Sequence, residues 1–239
     1  ASEEANLAKS IFLANISHEL RTPMHGILSF ARFGQQKVET ASKEKLKSYF
    51  DEIHDSGSRL MRLLNDLLDL SKLEAGKIIY SMQELDLVEI IRTVCSEMSA
   101  HAEEKGLKLA VAETQGNVMG VFDGERIMQV LRNLISNAIK FSEKDTVIRI
   151  EIDGTPENIC CRVSNSGVGI PEKELASIFD KFVQSSTTKC GAGGTGLGLA
   201  ICKEIVQQHG GKIWAETAPS RETVFVVELP KYKSIATVA

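Results

Sequence analysis

The sequence predicts two domains of different architecture: an α-helical hairpin that forms a dimeric four-helix bundle, followed by an α/β sandwich. Three observations predict it. The first third carries apolar residues at heptad spacing. The remainder alternates short β-branched runs with amphipathic segments. The length, 239 residues, suffices for two ordinary domains.

In the first third, Phe12, Ile16, Leu20, Pro23, Ile27 and Phe30 follow one another at spacings of four or three. After a break expected near Gly34 and a polar turn over 35–42, Leu46, Ile53, Leu60 and Leu67 recur every seven positions. Tyr49, Ser56, Leu63 and Leu70 follow them by three, which completes an a/d seam, and Gly76 closes the second helix. Leu64, Leu68 and Leu73 widen the stripe beyond one seam. A lone hairpin buries too little apolar surface, so the expected solution is a homodimer. Packing of the hairpin on the second half of the chain is the alternative.

From about residue 78 the pattern is mixed. Strands are expected over 77–82, 107–112, 118–122, 147–152, 159–164, 213–216 and 224–229. Helices are expected over 87–104 with Asp86 as N-cap, over 125–141, over 175–179 and over 197–209. Residues 183–194, rich in Ser, Thr and Gly, read as a mobile loop.

Composition narrows the function. Apolar residues at 43% and charged residues at 25% describe a folded domain. A net charge of −4 argues against a nucleic-acid partner. No apolar run approaches the roughly 20 residues of a membrane helix. The N-terminus lacks a signal-peptide pattern, so a cytoplasmic fragment is expected, with a membrane anchor in a longer parent protein left open. Cys95, Cys160, Cys161, Cys190 and Cys202 form no C-x-x-C pair, so free thiols are expected in place of disulfides or zinc. Cys190 carries no flanking feature beyond Lys189 that would activate it.

Two constellations carry chemistry. His18 falls two positions from both Ile16 and Leu20, hence on the helix face opposite the seam. A neutral imidazole is a competent nucleophile near pH 7, and the adjacent Glu19 carboxylate can orient it or take its proton. The string Phe12-Leu13-Ala14-Asn15-Ile16-Ser17-His18-Glu19-Leu20-Arg21-Thr22-Pro23-Met24 resembles the H-box of sensor histidine kinases. Pro23 removes a helical hydrogen bond and is expected to bend the helix beyond His18.

The second constellation is glycine-rich: Gly191, Gly193, Gly194, Gly196 and Gly198, with Thr195 and Leu197 between. A dinucleotide fold is excluded because polar residues 183–190 cannot be the preceding buried strand. A Walker A loop is excluded because Leu197 occupies its lysine position. Phosphate binding at the N-terminus of the following helix is the better reading. Asn133, Asn137 and Lys140 fall at i, i+4 and i+7, on one helical face, a set suited to a Mg²⁺–triphosphate. The string 133–141, ending in Phe141, resembles the N-box of the same family. Phe179-Asp180-Lys181-Phe182 resembles its F-box, and Val163-Ser164-Asn165-Ser166-Gly167-Val168-Gly169-Ile170-Pro171 its G1 box.

Together the strings resemble a sensor histidine kinase core over about residues 5 to 230. The resemblance implies a HisKA-type dimerisation and phosphotransfer domain (1–77), a GHKL-type (Bergerat) ATP-binding domain (78–233) and a tail (234–239). It implies that His18 accepts the γ-phosphoryl group of Mg-ATP, with Glu19 as general base. The phosphoryl group then passes to an aspartate of a response-regulator receiver domain, and Thr22 can position water for a phosphatase reaction. Asn137 is implied as the Mg²⁺ ligand. Asn133, Lys140, Phe141, Asn165, Gly167, Gly169, Lys181 and the run Gly193, Gly194, Thr195, Gly196, Leu197 and Gly198 are implied as the nucleotide site. Asn165 departs from the family, which places Asp there against the adenine amino group. The loss of charge implies weaker ATP binding, or a protein that works as a phosphatase or dimeric scaffold.

Overall fold

The structure, a computed structural model, describes residues 2–187, 194–217 and 222–231, with side chains from residue 13 onward. The chain divides into two compact units, Ala1–Ser71 and Lys72–Ala239.

The first unit holds two long helices, α1 (Ser2–Lys37) and α2 (Lys43–Glu74), the latter ending in the second unit. The expected seam faces inward: Tyr49, Leu63 and Leu70 are buried, and Ile16, Leu20, Ile27 and Phe30 are half-buried. The side chain of Phe12 lies outside the described residues. Gly26 lets the helices approach closely, because a Cβ there would lie 2.6 Å from Ser56 Oγ. The break expected near Gly34 is displaced. Helix α1 continues to Lys37, because Phe30 and Phe33 pack on Tyr49 at ring separations of 6.1 Å and hold this turn helical. The turn then closes through the Lys37 carbonyl, and Ser42 Oγ accepts from Lys45 N–H to start α2. Helix α1 also runs through Pro23 without interruption.

The second unit contains β1 (Gln83–Asp86), α3 (Leu87–Glu104), β2 (Lys108–Val111), β3 (Met119–Phe122), α4 (Gly124–Phe141), β4 (Val147–Gly154), β5 (Asn158–Ser166), α5 (Gly198–Gln208), β6 (Lys212–Thr217) and β7 (Glu222–Pro230). Five strands form one sheet in the order β2-β4-β5-β7-β6, and β1 pairs antiparallel with β3 in a separate ribbon. Period-two alternation is visible in β4, where Ile148, Ile150 and Ile152 are buried while Arg149 and Glu151 are exposed. The buried faces of α3 and α4 (Ile91, Val94, Leu131, Leu134, Ile135) complete a sandwich of helices on one mixed sheet.

Two expected elements differ. The strand expected over 77–82 lies instead at 83–86. The Ser81 N–H donates to the Asp123 carboxylate, so that stretch has a side-chain partner in place of a ladder partner. The helix expected over 175–179 is two 3₁₀ turns, Glu172–Glu174 and Ser177–Phe179. The second closes by Asp180 N–H to the Ser177 carbonyl, after which the chain turns extended.

Asp123 is the junction of this unit. Its carboxylate caps α4 through Arg126 N–H and holds Ser81 N–H, and its own N–H donates to His209 Nε2 at 3.1 Å. His209 Nε2 therefore carries no proton, and Nδ1–H donates to the Ile205 carbonyl at the end of α5. The Tyr80 ring stands edge-on to His209 at 5.2 Å.

Candidate functional site

His18 projects from α1 with a side-chain exposure of 75%. Its Nδ1 lies 3.7 Å from Glu19 Oε1, so the carboxylate faces one ring nitrogen and leaves Nε2 outward. Thr22 Oγ1, one turn on, donates to the His18 carbonyl at 3.4 Å.

The second site lies in the sheet unit, where α4, the end of β5 and the start of α5 meet. Asp123 starts α4, and its buried stripe (Ile127, Leu131, Leu134, Ile135, Ala138) fixes the rotation of the helix on the sheet. That rotation leaves Asn133, Asn137 and Lys140 half-buried on a second face. Asn133 Nδ2 donates to the Gly198 carbonyl at 3.3 Å. Lys140 Nζ lies 3.2 Å from the position of a Cβ on Gly194, and it also sits over the Phe141 ring at 4.7 Å. Asn133 and Lys140 thus approach the two ends of the segment 194–198. Asn137, between them, makes no side-chain hydrogen bond to any described residue.

Helix α5 begins at Gly198 with no side-chain cap, so its first N–H groups point outward without intrahelical partners. Thr195 Oγ1 accepts from Leu197 N–H at 3.2 Å, and Leu197 is fully buried, which anchors the first turn. Gly196 is in the left-handed region (φ 67°), and a Cβ there would lie 2.7 Å from Phe182 Cα. Its carbonyl accepts from Phe182 N–H. Gly193 and Cys190 lie outside the described residues.

Asn165 continues the buried face Ile159, Cys161, Val163 of β5 and is 3% exposed, yet its amide makes no hydrogen bond among the described residues. Thr223 on β7, its register partner, is also buried and also lacks a side-chain hydrogen bond. The two side chains thus stand side by side with hydrogen-bonding capacity that a ligand could use. Gly167 follows, and a Cβ there would lie 2.0 Å from the Phe141 carbonyl oxygen, so only glycine lets β5 leave past the end of α4. Gly169 takes φ 70° in the turn beyond.

The F-box residues divide. Phe179 is core, edge-on to Phe225 at 6.3 Å. Lys181 forms an ion pair with Glu74, so one of its partners is a carboxylate. The described parts of the expected mobile loop are tethered by side chains that sequence reading did not single out: Glu174 to Ser185 and Ser186, and Gln184 to the Gly194 carbonyl. Thr223 was likewise missed, because a threonine in a β-branched run carries no signal until its register with Asn165 is known. Cys161 is sealed in the core, where burial pushes its thiol up to about 12, and Cys95, Cys160 and Cys202 are also free. Among the described residues no His, Cys, Asp or Glu cluster could hold a metal ion, and no helix is long and apolar enough to cross a membrane.

Comparison with known proteins adds the following. Residues 8–76 match the His Kinase A (phospho-acceptor) domain, and residues 122–233 match the histidine kinase-, DNA gyrase B- and HSP90-like ATPase family. The chain is 36% identical over 233 residues to the circadian input-output histidine kinase CikA of Synechococcus elongatus, covering 96% of this chain and 31% of that protein. It is 35% identical over 236 residues to the autoinducer 2 sensor kinase/phosphatase LuxQ of Vibrio parahaemolyticus, covering 96% of this chain and 27% of that protein. The chain therefore spans about a quarter to a third of the curated relatives it matches. Among solved structures, histidine kinase ThkA in complex with the response regulator TrrA superposes with a TM-score of 0.77 at 30% identity, over 96% of this chain and 64% of that one. The catalytic domain of ThkA alone matches at 33% identity and a TM-score of 0.56, over 64% of this chain and 99% of that one. ShkA in complex with AMPPNP matches at 29% identity and a TM-score of 0.68, over 91% of this chain and 45% of that one. The phospho-acceptor match precedes the ATPase match along the chain, and this chain belongs to the histidine kinase family.

Proposed function

We propose that this chain autophosphorylates His18 from Mg-ATP and passes the phosphoryl group to an aspartate of a response-regulator receiver domain. One observation carries the reading: the chain holds both a solvent-facing His18–Glu19 pair and, in its other unit, Asn133 and Lys140 turned onto the segment that leads into the uncapped α5. The ThkA–TrrA and ShkA–AMPPNP structures support the partner and the nucleotide by likeness.

Residues 1–77 then serve dimerisation and phosphotransfer, 78–233 bind ATP, and the tail 234–239 lies outside the described residues. Helix α5 and Gly194, Thr195, Gly196 and Gly198 receive the triphosphate on backbone N–H groups, and Lys140 neutralises it. The amide oxygen of Asn137, idle in the structure, fits a cation that prefers oxygen and keeps most of its waters, so Asn137 is the proposed Mg²⁺ ligand. Mg²⁺ supplies charge neutralisation on the phosphates. Asn165, with Gly167 and Gly169 bounding the turn, meets the base.

At the other site Glu19 keeps the ring proton on Nδ1, so the Nε2 lone pair attacks the γ-phosphorus. The bond to the β–γ bridging oxygen breaks, ADP leaves with the electron pair, and Glu19 takes the Nδ1 proton. Thr22 positions water for the phosphatase reaction, as the kinase/phosphatase name of LuxQ suggests by likeness. Leu28, Phe50, Met61 and Leu68 are exposed on the hairpin, and a second copy of this chain would cover them in a four-helix bundle. The free thiols fit a reducing compartment, the cytoplasm.

The test is incubation with γ-labelled Mg-ATP, with His18→Gln as control. Acid-labile, base-stable label that disappears in the control supports the kinase. Absence of label together with weak ATP binding favours the second reading, which Asn165 motivates: a phosphatase or dimeric scaffold with an impaired nucleotide site.

A further inference from the structure

The segment between the 3₁₀ turns and α5 is held by one carboxylate. Glu174 Oε2 accepts from Ser185 Oγ at 2.7 Å and from Ser186 N–H at 3.0 Å, and its Oε1 accepts from Ser186 Oγ at 2.6 Å. Each hydroxyl has one proton, so the direction is fixed. Ser185 spends its proton on Glu174 and accepts from Thr187 N–H at 3.4 Å and from Thr187 Oγ1 at 2.9 Å, and Thr187 Oγ1 shares its proton with the Gly169 carbonyl at 3.1 Å. Ser185 is 8% exposed. The other foot of the same segment is tied separately, by Phe182 N–H to the Gly196 carbonyl and by Gln184 Nε2 to the Gly194 carbonyl. Residues 182–187 therefore bridge the Gly169 turn, at the base end of the site, and the Gly194–Gly198 segment, at its phosphate end.

We propose that Glu174 is a positioning residue for the nucleotide: by gathering three donors from Ser185 and Ser186 it holds this bridge in one path before ATP arrives. The proposal rests on the ATP reading above. Among the described residues the Glu174 carboxylate hydrogen-bonds to Ser185 and Ser186 alone, so it acts through the serines it holds. Its three donors keep its carboxyl below the ordinary carboxylate range, in the charged state that accepts most strongly. Without the clip, two consecutive residues with small, freely rotating side chains lose their tether. Nucleotide binding would then have to order them, which weakens affinity.

The test measures Kd for Mg-ATP and for Mg-AMPPNP by calorimetry on the whole chain, together with KM and kcat for His18 labelling. Glu174→Ala should weaken nucleotide affinity by on the order of tenfold, with the loss falling on KM more than on kcat. Glu174→Gln, which keeps one oxygen acceptor and can meet a re-turned Ser186 hydroxyl, should recover part of it. The double variant Ser185→Ala/Ser186→Ala should match Glu174→Ala, and the triple variant should be no worse, because the residues act as one unit. Additive losses, or an unchanged Kd in Glu174→Ala beside a wild type that binds, would overturn the proposal and leave the ATP reading intact. A wild type that binds neither nucleotide would overturn both. If Glu174→Ala does not fold, the serine double variant decides on its own: unchanged affinity there rejects the clip.

Discussion

Replacing Asn165 by Asp tests the base end of the site directly. The position is 3% exposed, and the amide has no hydrogen-bond partner among the described residues, so its polar atoms are open to a ligand. Asp is nearly isosteric, so the change isolates charge. A hydrogen bond from the adenine amino group to a carboxylate exceeds one to an amide by about 1–2 kcal/mol. At about 1.4 kcal/mol per decade, this predicts roughly tenfold tighter ATP binding. The same charge costs desolvation in the empty protein, offset only in part by the Thr223 hydroxyl that stands opposite it on β7. The variant should therefore melt lower without nucleotide and gain more on adding Mg-ATP. Calorimetric titration with ATP, with GTP as the base control, and a melting series with and without nucleotide measure both arms. Equal affinity for ATP, with equal melting, would refute the placement of the base against Asn165. It would also remove the reason to regard this site as impaired.

Three other outcomes follow from the structure. Leu68→Glu, at a side chain 58% exposed on α2, should leave helicity unchanged but shift the mass in sedimentation equilibrium from dimer to monomer; a persistent dimer would reject the bundle. Asp123→Ala removes the cap of α4 and leaves the Ser81 N–H unpaired, so denaturant unfolding should show a loss of about 2–4 kcal/mol, a cap plus one orphaned donor. Glu97 takes two hydrogen bonds from Arg132, between α3 and α4, which hold its carboxyl below the usual range. A depressed pKa contributes stability that is present above the unfolded value and lost as pH falls through the folded one. The stability gap between wild type and Glu97→Gln should accordingly be present at pH 7 and close as pH drops below about 4. A gap that persists to pH 2 would mean packing, not charge, holds the pair.

The sequence by itself determined the hairpin, the sandwich and the outward placement of His18, because each is written in a periodicity that one helix or strand enforces. Heptad spacing put Tyr49, Leu63 and Leu70 inside; an offset of two from Ile16 and Leu20 put His18 outside; the i, i+4, i+7 register put Asn133, Asn137 and Lys140 on one face. Local signals failed where a distant partner outweighed them. Residues 77–82 have strand composition, but the Asp123 carboxylate takes the Ser81 N–H across 42 positions. Gly34 is a poor helix residue, but the contacts of Phe30 and Phe33 with Tyr49 keep it helical. Only the tertiary structure decided that Thr223 stands opposite Asn165, that Glu174 clips Ser185 and Ser186, and that His209 closes α5 on Asp123. The physical reason is common to all three: each is a hydrogen bond or register between residues 11 to 86 positions apart, and no periodicity in the chain records which donor will meet which acceptor.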